Sequence, residues 1–191
     1  MLKLLIVNRQ SSIFFMQKTL DQYDAALAQC ASLFEKKNRD YGTAWRILRL
    51  ESITDQLYIK AKRIREIQER GSQQISDSIA EEFIGLVNYS AMALAQIELG
   101  DAKHEMLDPD FAFELYKKQT NIARALMIQK NTDYGEAWRD MRVSSLVDLI
   151  LMKIFRLKQI EDNKGKTFVS EGVNANYLDI LNYALFALIK L

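Results

Sequence analysis

The sequence contains an internal repeat, and this repeat limits the fold more than any other feature. The segment KNRDYGTAWRILR at residues 37–49 returns as KNTDYGEAWRDMR at residues 130–142. The register continues without a gap over 31 positions, of which 14 are identical. A further segment, NYSAMAL at residues 88–94, matches NYALFAL at residues 182–188 after one residue of slippage. Self-similarity of this length indicates a tandem duplication of one structural unit.

The composition predicts that each unit is built from helices. The chain of 191 residues has one proline and seven glycines, whereas the many turns of a β-rich protein would need more of both. Apolar residues recur at helical spacing in each copy. We therefore expect an all-α fold, a pseudo-symmetric helical bundle made from two tandem three-helix units. The predicted units are residues 1–100 and 101–191, packed as one globular body with their third helices facing each other.

Local motifs predict where the helices begin and end. The first helix is expected from about Gln17 to Lys37, and its counterpart from Asp108, an N-cap aspartate that precedes proline. The Asp-Tyr-Gly sequence is expected just beyond the helix end, with Gly42 and Gly135 at positive φ. The second helices are expected to open with capping boxes, Ser52-x-x-Asp55 and Ser145-x-x-Asp148. The third helices are expected to start near Ser76 and Ser170. Gly71 and Gly100 are expected to end the second and third helices of the first unit.

Charge and rare residues exclude several classes of protein. The formal net charge is +1, so no overall field would attract duplex nucleic acid or an anionic membrane. Cys30 and His104 are the single residues of their kinds, which excludes a disulfide within the chain, a cysteine metal cage and a histidine-based catalytic triad. No stretch reaches the length of a membrane span, and MLKLLIV is too short for a signal-peptide core. We expect a cytoplasmic protein.

Basic residues recur in both copies at spacings that place them on shared helix faces. Arginines follow the repeated tryptophan by one and four positions, and a Lys-x-x-Arg pair lies on the next helix. Because such groups bind phosphate, a convergent cluster would form a nucleotide site. The alternative is that these side chains pair with carboxylates or extend into water. With the tyrosine of the turn, the predicted phosphate- or nucleotide-binding residues are Lys37, Tyr41, Arg46, Arg49, Lys60, Arg63, Lys130, Tyr134, Arg139, Arg142, Lys153 and Arg156.

The tryptophans and aspartates of the repeat have two interpretations each. Trp45 and Trp138 could stack on a base, but packing in the core is favoured. Asp40 and Asp133 either cap a turn, or ligate a metal or orient a sugar hydroxyl. Asp55 and Asp148 follow the repeated serine by three positions, a spacing that indicates capping in preference to metal binding.

Acidic residues on the third helix suggest a magnesium site. Acids at i, i+4 and i+8 share a helix face and can supply the oxygen ligands that Mg²⁺ prefers. Neither copy carries all three, since Ala175 replaces Glu81 and Gly85 replaces Asp179. Asn88 and its counterpart are expected to tie helices together, because a buried amide needs partners. The predicted metal ligands are Asp40, Asp77, Glu81, Asp133, Glu171 and Asp179.

These motifs resemble a known family. The K-N-x-D-Y-G turn, the K-x-x-R helix and the acidic helix that ends in N-Y-x-x-x-x-L are similar to the bacterial and phage nucleotide-modification-associated domain of unknown function. The two copies resemble its Bacteroidetes members, over nearly the whole chain from about Leu20. The resemblance implies a role in nucleotide metabolism.

A fainter similarity is to the all-α nucleoside triphosphate pyrophosphatases of the MazG type. Those proteins bind Mg²⁺ through Glu-x-x-Glu on one helix and Glu-x-x-Asp on another. The second helix of this chain departs from that pattern, with Tyr58-Ile59 and Leu151-Met152 beside its lysine. Hydrolysis would then require acids from both copies in one shared site.

The sequence therefore predicts binding of a nucleotide or another phosphorylated small molecule, with Mg²⁺ as a cofactor. If the protein is an enzyme, we expect a Mg²⁺-dependent nucleotide phosphohydrolase in which metal-bound water attacks a phosphoryl group. The rival prediction is a helical interaction protein whose repeated motif is architectural. We expect no membrane partner and no duplex nucleic acid, and homodimerisation is left open.

Overall fold

The fold is all-α, with six α-helices and no strand in the part of the chain that the structure describes. The structure, a computed structural model, describes residues 2–71, 78–100, 105–167 and 171–191, with side chains from residue 16 onward. The helices are α1 (Leu2–Tyr41), α2 (Leu50–Arg70), α3 (Ile79–Leu99), α4 (Pro109–Tyr134), α5 (Val143–Asp162) and α6 (Val173–Lys190). The all-α prediction is confirmed. None of the described helices combines the length and apolar character that a membrane crossing requires.

The first helix of each unit runs further than the sequence predicted. Residues 2–41 contain no glycine or proline, so nothing in this stretch breaks α1 before Tyr41. Asp40 and Asp133 therefore lie in the last turns of α1 and α4, and the prediction that placed them beyond the helix end is wrong. The chain then passes through short 3-10 turns, Ala44–Ile47 and Ala137–Arg139.

Several predicted helix ends are confirmed. The Asp108 side chain accepts hydrogen bonds from the backbone N–H groups of the second and third residues of α4, at 3.0 and 3.1 Å. Gly42 and Gly135 adopt φ values of 67° and 62°, a region that residues with a Cβ rarely enter. Gly71 ends α2 in the left-handed conformation, and Gly100 follows α3.

The predicted starts of the second helices are wrong, whereas the third helices begin within three residues of the predicted positions. α2 and α5 begin after Arg49 and Arg142, whose extended backbones carry no side-chain cap, so the repeated serines lie inside the helices. α3 begins after Ser78, which forms a capping box with Glu81. α6 begins after Gly172. The serines predicted for these positions, at 76 and 170, lie outside the described residues.

Ion pairs at matching positions join α2 to α5. Lys158 Nζ lies 2.6 Å from Asp55 Oδ1, and Arg65 Nη1 lies 3.6 Å from Asp148 Oδ1. The repeat aligns Asp55 with Asp148 and Arg65 with Lys158, so the two contacts are related by a pseudo-two-fold axis. The aspartates kept in both copies therefore bridge the units, and the capping prediction for them is wrong.

Buried hydrogen bonds of the same symmetry join the units at the core. The Tyr23 hydroxyl donates to Asn182 Oδ1 at 2.7 Å, and the Tyr116 hydroxyl donates to Asn88 Oδ1 at 2.8 Å. Each asparagine Nδ2 donates to a backbone carbonyl in the first helix of its own unit, at 3.1 Å. The prediction that these asparagines tie helices together is confirmed. α3 and α6 pack against each other at the centre, as expected for the facing third helices.

Candidate functional site

A cavity of about 610 Å³ lies within the first unit. Its walls are the C-terminal part of α1, the first 3-10 turn, and the facing sides of α2 and α3. Four of the residues predicted to bind phosphate or metal line it, namely Lys37, Tyr41, Lys60 and Glu81. The other polar and aromatic side chains of the wall are Phe34, Asn38, Trp45, Glu82, Asn88 and Tyr89.

The last turn of α1 positions one wall of the cavity. Tyr41 lies one helical turn beyond Lys37 and Asn38, four and three residues away, so all three side chains border the cavity. Gly42 then reverses the chain at a φ of 67°, and its N–H donates to the Asn38 carbonyl at 2.9 Å. A Cβ at this glycine would lie 2.6 Å from Met106 Cε. The repeated Lys-Asn-x-Asp-Tyr-Gly sequence thus ends the helix and directs three side chains into one cavity wall.

The two lysines of the cavity differ in their partners. Lys60 Nζ lies 3.3 Å from Glu82 Oε2, and the Arg63 guanidinium also pairs with this carboxylate. Glu82 is buried, so the two cations offset the cost of removing its charge from water. Lys37 is exposed and has no ion-pair partner among the described residues. An external anion can therefore meet Lys37 without displacing a carboxylate.

Gly85 provides the room for the Lys60 side chain. The Lys60 Cε, Cδ and Nζ atoms lie within 2.5–2.9 Å of the place that a Cβ at Gly85 would occupy. Any side chain at this position would have to displace the end of the lysine. The absence of a side chain at Gly85 therefore sets the path by which Lys60 reaches Glu82.

The buried amide of Asn38 at the cavity has no acceptor in the described protein. The Asn38 side chain is 4% exposed, and its Nδ2 makes no hydrogen bond there. The corresponding Nδ2 of Asn131 in the second unit contacts Met127 Sδ at 3.3 Å. An unsatisfied buried donor costs about 1–3 kcal/mol, which an acceptor brought by a ligand would offset. The indole nitrogens of both tryptophans are also unsatisfied, so they do not distinguish the two units.

The same place in the second unit is filled by protein. Lys130 and Lys153, the counterparts of the cavity lysines, both pair with Asp179, at 2.5 Å to Oδ1 and 2.6 Å to Oδ2. Burial opposes the charge on Lys130, but the hydrogen bond and charge of Asp179 outweigh it and raise the pKa of Lys130. Phe186 stacks on Trp138 with ring centroids 4.3 Å apart. Lys153 and Asp179 are both buried.

The chain matches the family described as nucleotide modification associated domain 1, over residues 37–97 and again over residues 130–191. It belongs to this family. The first match contains most of the cavity wall and the second contains its filled counterpart. No curated protein and no solved structure matches the chain. The family name associates the domain with nucleotide modification, and it specifies neither a ligand nor a reaction.

The arginines next to the family's repeated tryptophans do not line the first-unit cavity. Arg46 is buried, and this burial lowers its pKa. Arg139 donates to Glu136 Oε2 at 2.5 Å, to Thr19 Oγ1 at 2.6 Å and to Gln22 Oε1 at 2.8 Å. It therefore joins the second 3-10 turn to α1. These contacts favour the structural alternative for Arg139.

The remaining predicted binding residues lie apart from the cavity. Arg49 and Arg142 are the exposed residues that precede α2 and α5, and Arg156 is exposed on α5. Tyr134 is 77% exposed at the end of α4. The basic residues of a unit thus do not converge as a complete set, and the structure brings two of the five from the first unit to one cavity.

The predicted metal ligands are not brought together in the described residues. Asp40, Asp133 and Glu171 are exposed, Asp179 is buried against two lysines, and Asp77 lies outside the described residues. Glu81 lines the cavity and accepts from the Ser78 N–H at 2.7 Å. No group of three or more carboxylate, histidine or cysteine side chains that could hold a metal occurs where the chain is described. Magnesium binding stays a prediction.

Sequence reasoning missed the roles of Glu82 and Asn38. Glu82 lies one residue beyond a predicted metal ligand, and its role as the partner of Lys60 and Arg63 becomes visible once α2 and α3 are packed together. Asn38 carried a usable signal, because the same residue stands in both copies beside the repeated lysine.

Proposed function

We propose that the cavity of the first unit binds a nucleotide or another phosphorylated small molecule. The observation that carries this proposal is the meeting of Lys37 and Lys60 with the unsatisfied amide of Asn38 in one cavity. These groups suit the oxygens of a phosphate, since ammonium groups pair with its charge and an amide N–H donates to it. Membership of a family associated with nucleotide modification supports the same ligand class.

The size and the aromatic wall of the cavity support a ligand larger than phosphate alone. Small-molecule sites generally enclose about 300–1,000 Å³ and combine an apolar wall with a few placed polar groups. The cavity of about 610 Å³ falls in this range. Tyr41 and Tyr89 add aromatic surface on which a base could pack.

Hydrolysis is a narrower form of the same proposal. Mg²⁺ commonly binds through one or two carboxylates together with substrate phosphates, and Glu81 and Glu82 both line the cavity. Both carboxylates already have partners in the protein, since Glu81 caps α3 and Glu82 pairs with Lys60 and Arg63. A metal would have to compete with these contacts, so the geometry favours binding over catalysis.

A non-catalytic interaction protein is the second candidate. It is favoured by the repeated residues that join the units, because Asp55, Asp148, Asn88 and Asn182 are kept in both copies and make symmetric contacts. These contacts explain part of the repeat without a ligand. These contacts do not explain why the repeated lysine at position 37 lines an open cavity.

The proposal is tested by thermal unfolding of the full chain with a panel of nucleotides, with and without Mg²⁺. A ligand at a hundred times its Kd stabilises by roughly 2.7 kcal/mol, or about 5–10 °C in Tm for a chain of this size. We expect such a shift with at least one nucleotide. Lys37→Ala should remove the shift and leave the Tm without ligand within about 1 °C, because Lys37 is exposed and has no described partner.

The matched control is Lys36→Ala, which removes an exposed lysine from the same helix outside the cavity. We expect this variant to keep the full ligand shift. Equal losses in the two variants would indicate non-specific attraction to basic residues. No shift with any nucleotide would favour the interaction protein.

A further inference from the structure

We infer that the anionic group of the ligand binds between Lys37 and Lys60, in the place that the second unit fills with the carboxylate of Asp179, so that the chain takes one ligand and not two. This inference rests on the proposed function and adds the position of the phosphate and the stoichiometry. The second unit serves as an internal guide to the first, because the two are copies of one structure.

The register of the two third helices is fixed by their hydrogen bonds. Asn88 and Asn182 occupy equivalent positions, since each donates to a carbonyl of its own first helix and accepts from a tyrosine of the other unit. Gly85 and Asp179 each lie three residues earlier on the same helix. They are therefore equivalent in space as well as in the alignment.

The two oxygens of Asp179 show how the lysine pair holds an anion. Lys130 Nζ lies 2.5 Å from Oδ1 and Lys153 Nζ lies 2.6 Å from Oδ2, so each lysine takes one oxygen. A phosphate presents oxygens in the same bridging arrangement, and charge-assisted contacts of this kind are strong. Asp179 is only 4% exposed, which shows that the lysine pair can hold a carboxylate away from water.

The first unit has the same lysines without the internal carboxylate. Gly85 offers no side chain, and the end of Lys60 lies across the space above it. Glu82 takes the place of this carboxylate only for Lys60, because its other partner is Arg63. Lys37 has no ion-pair partner among the described residues. An incoming anion would find one lysine available at once and a second whose flexible end can move toward it.

A second pair of aligned residues distinguishes the two units beside the tryptophan. Phe186 stacks on Trp138, and its ring fills the side of the site next to the tryptophan. The aligned residue of the first unit is Met92, which lines the cavity beside Trp45. In the second unit a carboxylate therefore occupies the place between the lysines and an aromatic ring covers the tryptophan. A hollow of about 480 Å³ remains at the second 3-10 turn, but neither lysine of the pair lines it. We assign the second unit a structural role and the first unit the binding role.

The anion position can be tested without any ligand. Gly85→Asp places the carboxylate of the second unit in the first, and the clash involves only the flexible end of Lys60. Gly85→Asn is the matched control, because it has the same size and no charge. We expect Gly85→Asp to unfold at a Tm at least about 3 °C above that of Gly85→Asn, with the difference reduced by half or more in a Lys37→Ala background. Equal Tm values for the two variants would overturn the inference.

The ligand position is then tested by calorimetric titration of the full chain with inorganic pyrophosphate. We expect one site per chain, at least a tenfold loss of affinity in Gly85→Asp, and less than a twofold change in Lys130→Ala. Two sites per chain, or full affinity in Gly85→Asp, would overturn the inference while leaving the proposed function in place. Absence of binding by pyrophosphate and by every nucleotide of the thermal panel would overturn both.

Discussion

At the residue scale, Glu161 is a carboxylate whose charge the fold disfavours. It accepts a hydrogen bond from the Thr54 hydroxyl at 2.6 Å and one from the Tyr177 hydroxyl at 3.3 Å. Burial raises the pKa of Glu161, and the hydrogen bonds from Thr54 and Tyr177 oppose this effect only in part. A carboxyl group whose pKa is raised on folding contributes stability below its unfolded pKa, and that contribution is lost as the pH rises through the folded value.

Glu161→Gln should therefore increase the free energy of unfolding at pH 7, because the amide keeps an acceptor for Thr54 and carries no charge. The gain should shrink at pH 4, where the wild-type carboxyl is largely protonated. Denaturant unfolding at the two pH values measures the difference. Glu105→Gln, at an exposed position, is the control and should show no such dependence. A variant that is less stable than wild type at pH 7 would contradict this account of Glu161.

The residue scale also shows how far repetition in a sequence identifies function. The core position of the tryptophans and the buried asparagine ties were predicted and are confirmed. Asp55 and Asp148 were misread, because a symmetric contact between two copies requires the same residue in each copy. Identity between copies therefore marks either a ligand site or a contact across the pseudo-two-fold axis, and only packing separates the two.

At the element scale, the Asp55–Lys158 pair tests whether the aspartate joins helices or caps one. The two side chains are partly exposed, so their coupling should be below about 1 kcal/mol. In a double-mutant cycle, Asp55→Ala should destabilise the wild type more than it destabilises Lys158→Ala. A capping aspartate would instead cost about 1 kcal/mol in both backgrounds. Ser52→Ala, which removes the other half of the predicted capping box, should change the free energy of unfolding by less than about 0.5 kcal/mol.

The helix ends that sequence predicted correctly are those with strict local stereochemistry. Asp108 before proline and the glycines at positive φ are determined by their own backbone and nearest neighbours. The starts of α2 and α5 are not determined locally, because Arg49 and Arg142 precede these helices and provide no side-chain cap. Such starts follow from the preceding 3-10 turn and from packing between helices, which no short motif contains.

At the scale of the whole molecule, the cavity could be predicted only in part. Lys37, Tyr41 and Lys60 were chosen from the repeat and Glu81 from the spacing of acids on the third helix, and the four meet in one place. The difference between the units depends on Gly85 against Asp179 and on Met92 against Phe186, where the copies disagree. The sequence comparison noted Gly85 against Asp179 only as a missing acid, and the packing of Asp179 against two lysines shows what the difference does.

The hydrogen bonds that cross between the units predict that the chain unfolds as one body. Tyr23→Phe leaves Asn182 Oδ1 buried without its donor, and Tyr116→Phe does the same to Asn88. Each variant should lose about 1–3 kcal/mol of the free energy of unfolding, which corresponds to a fall in Tm of roughly 2–12 °C. Tyr134→Phe is the matched control, because the Tyr134 side chain is 77% exposed, and it should leave the Tm unchanged.

Hydrogen exchange locates the effect, because Tyr23 belongs to α1 while the amide that it satisfies belongs to α6. If the units fold together, the most protected amides of α3 and α6 exchange by global unfolding, and Tyr23→Phe should lower their protection equally. A loss confined to α1–α3 would mean that the first unit opens alone, and the two copies would then be separate folding units. Equal losses would instead show that the second unit helps to hold the helices that form the cavity of the first.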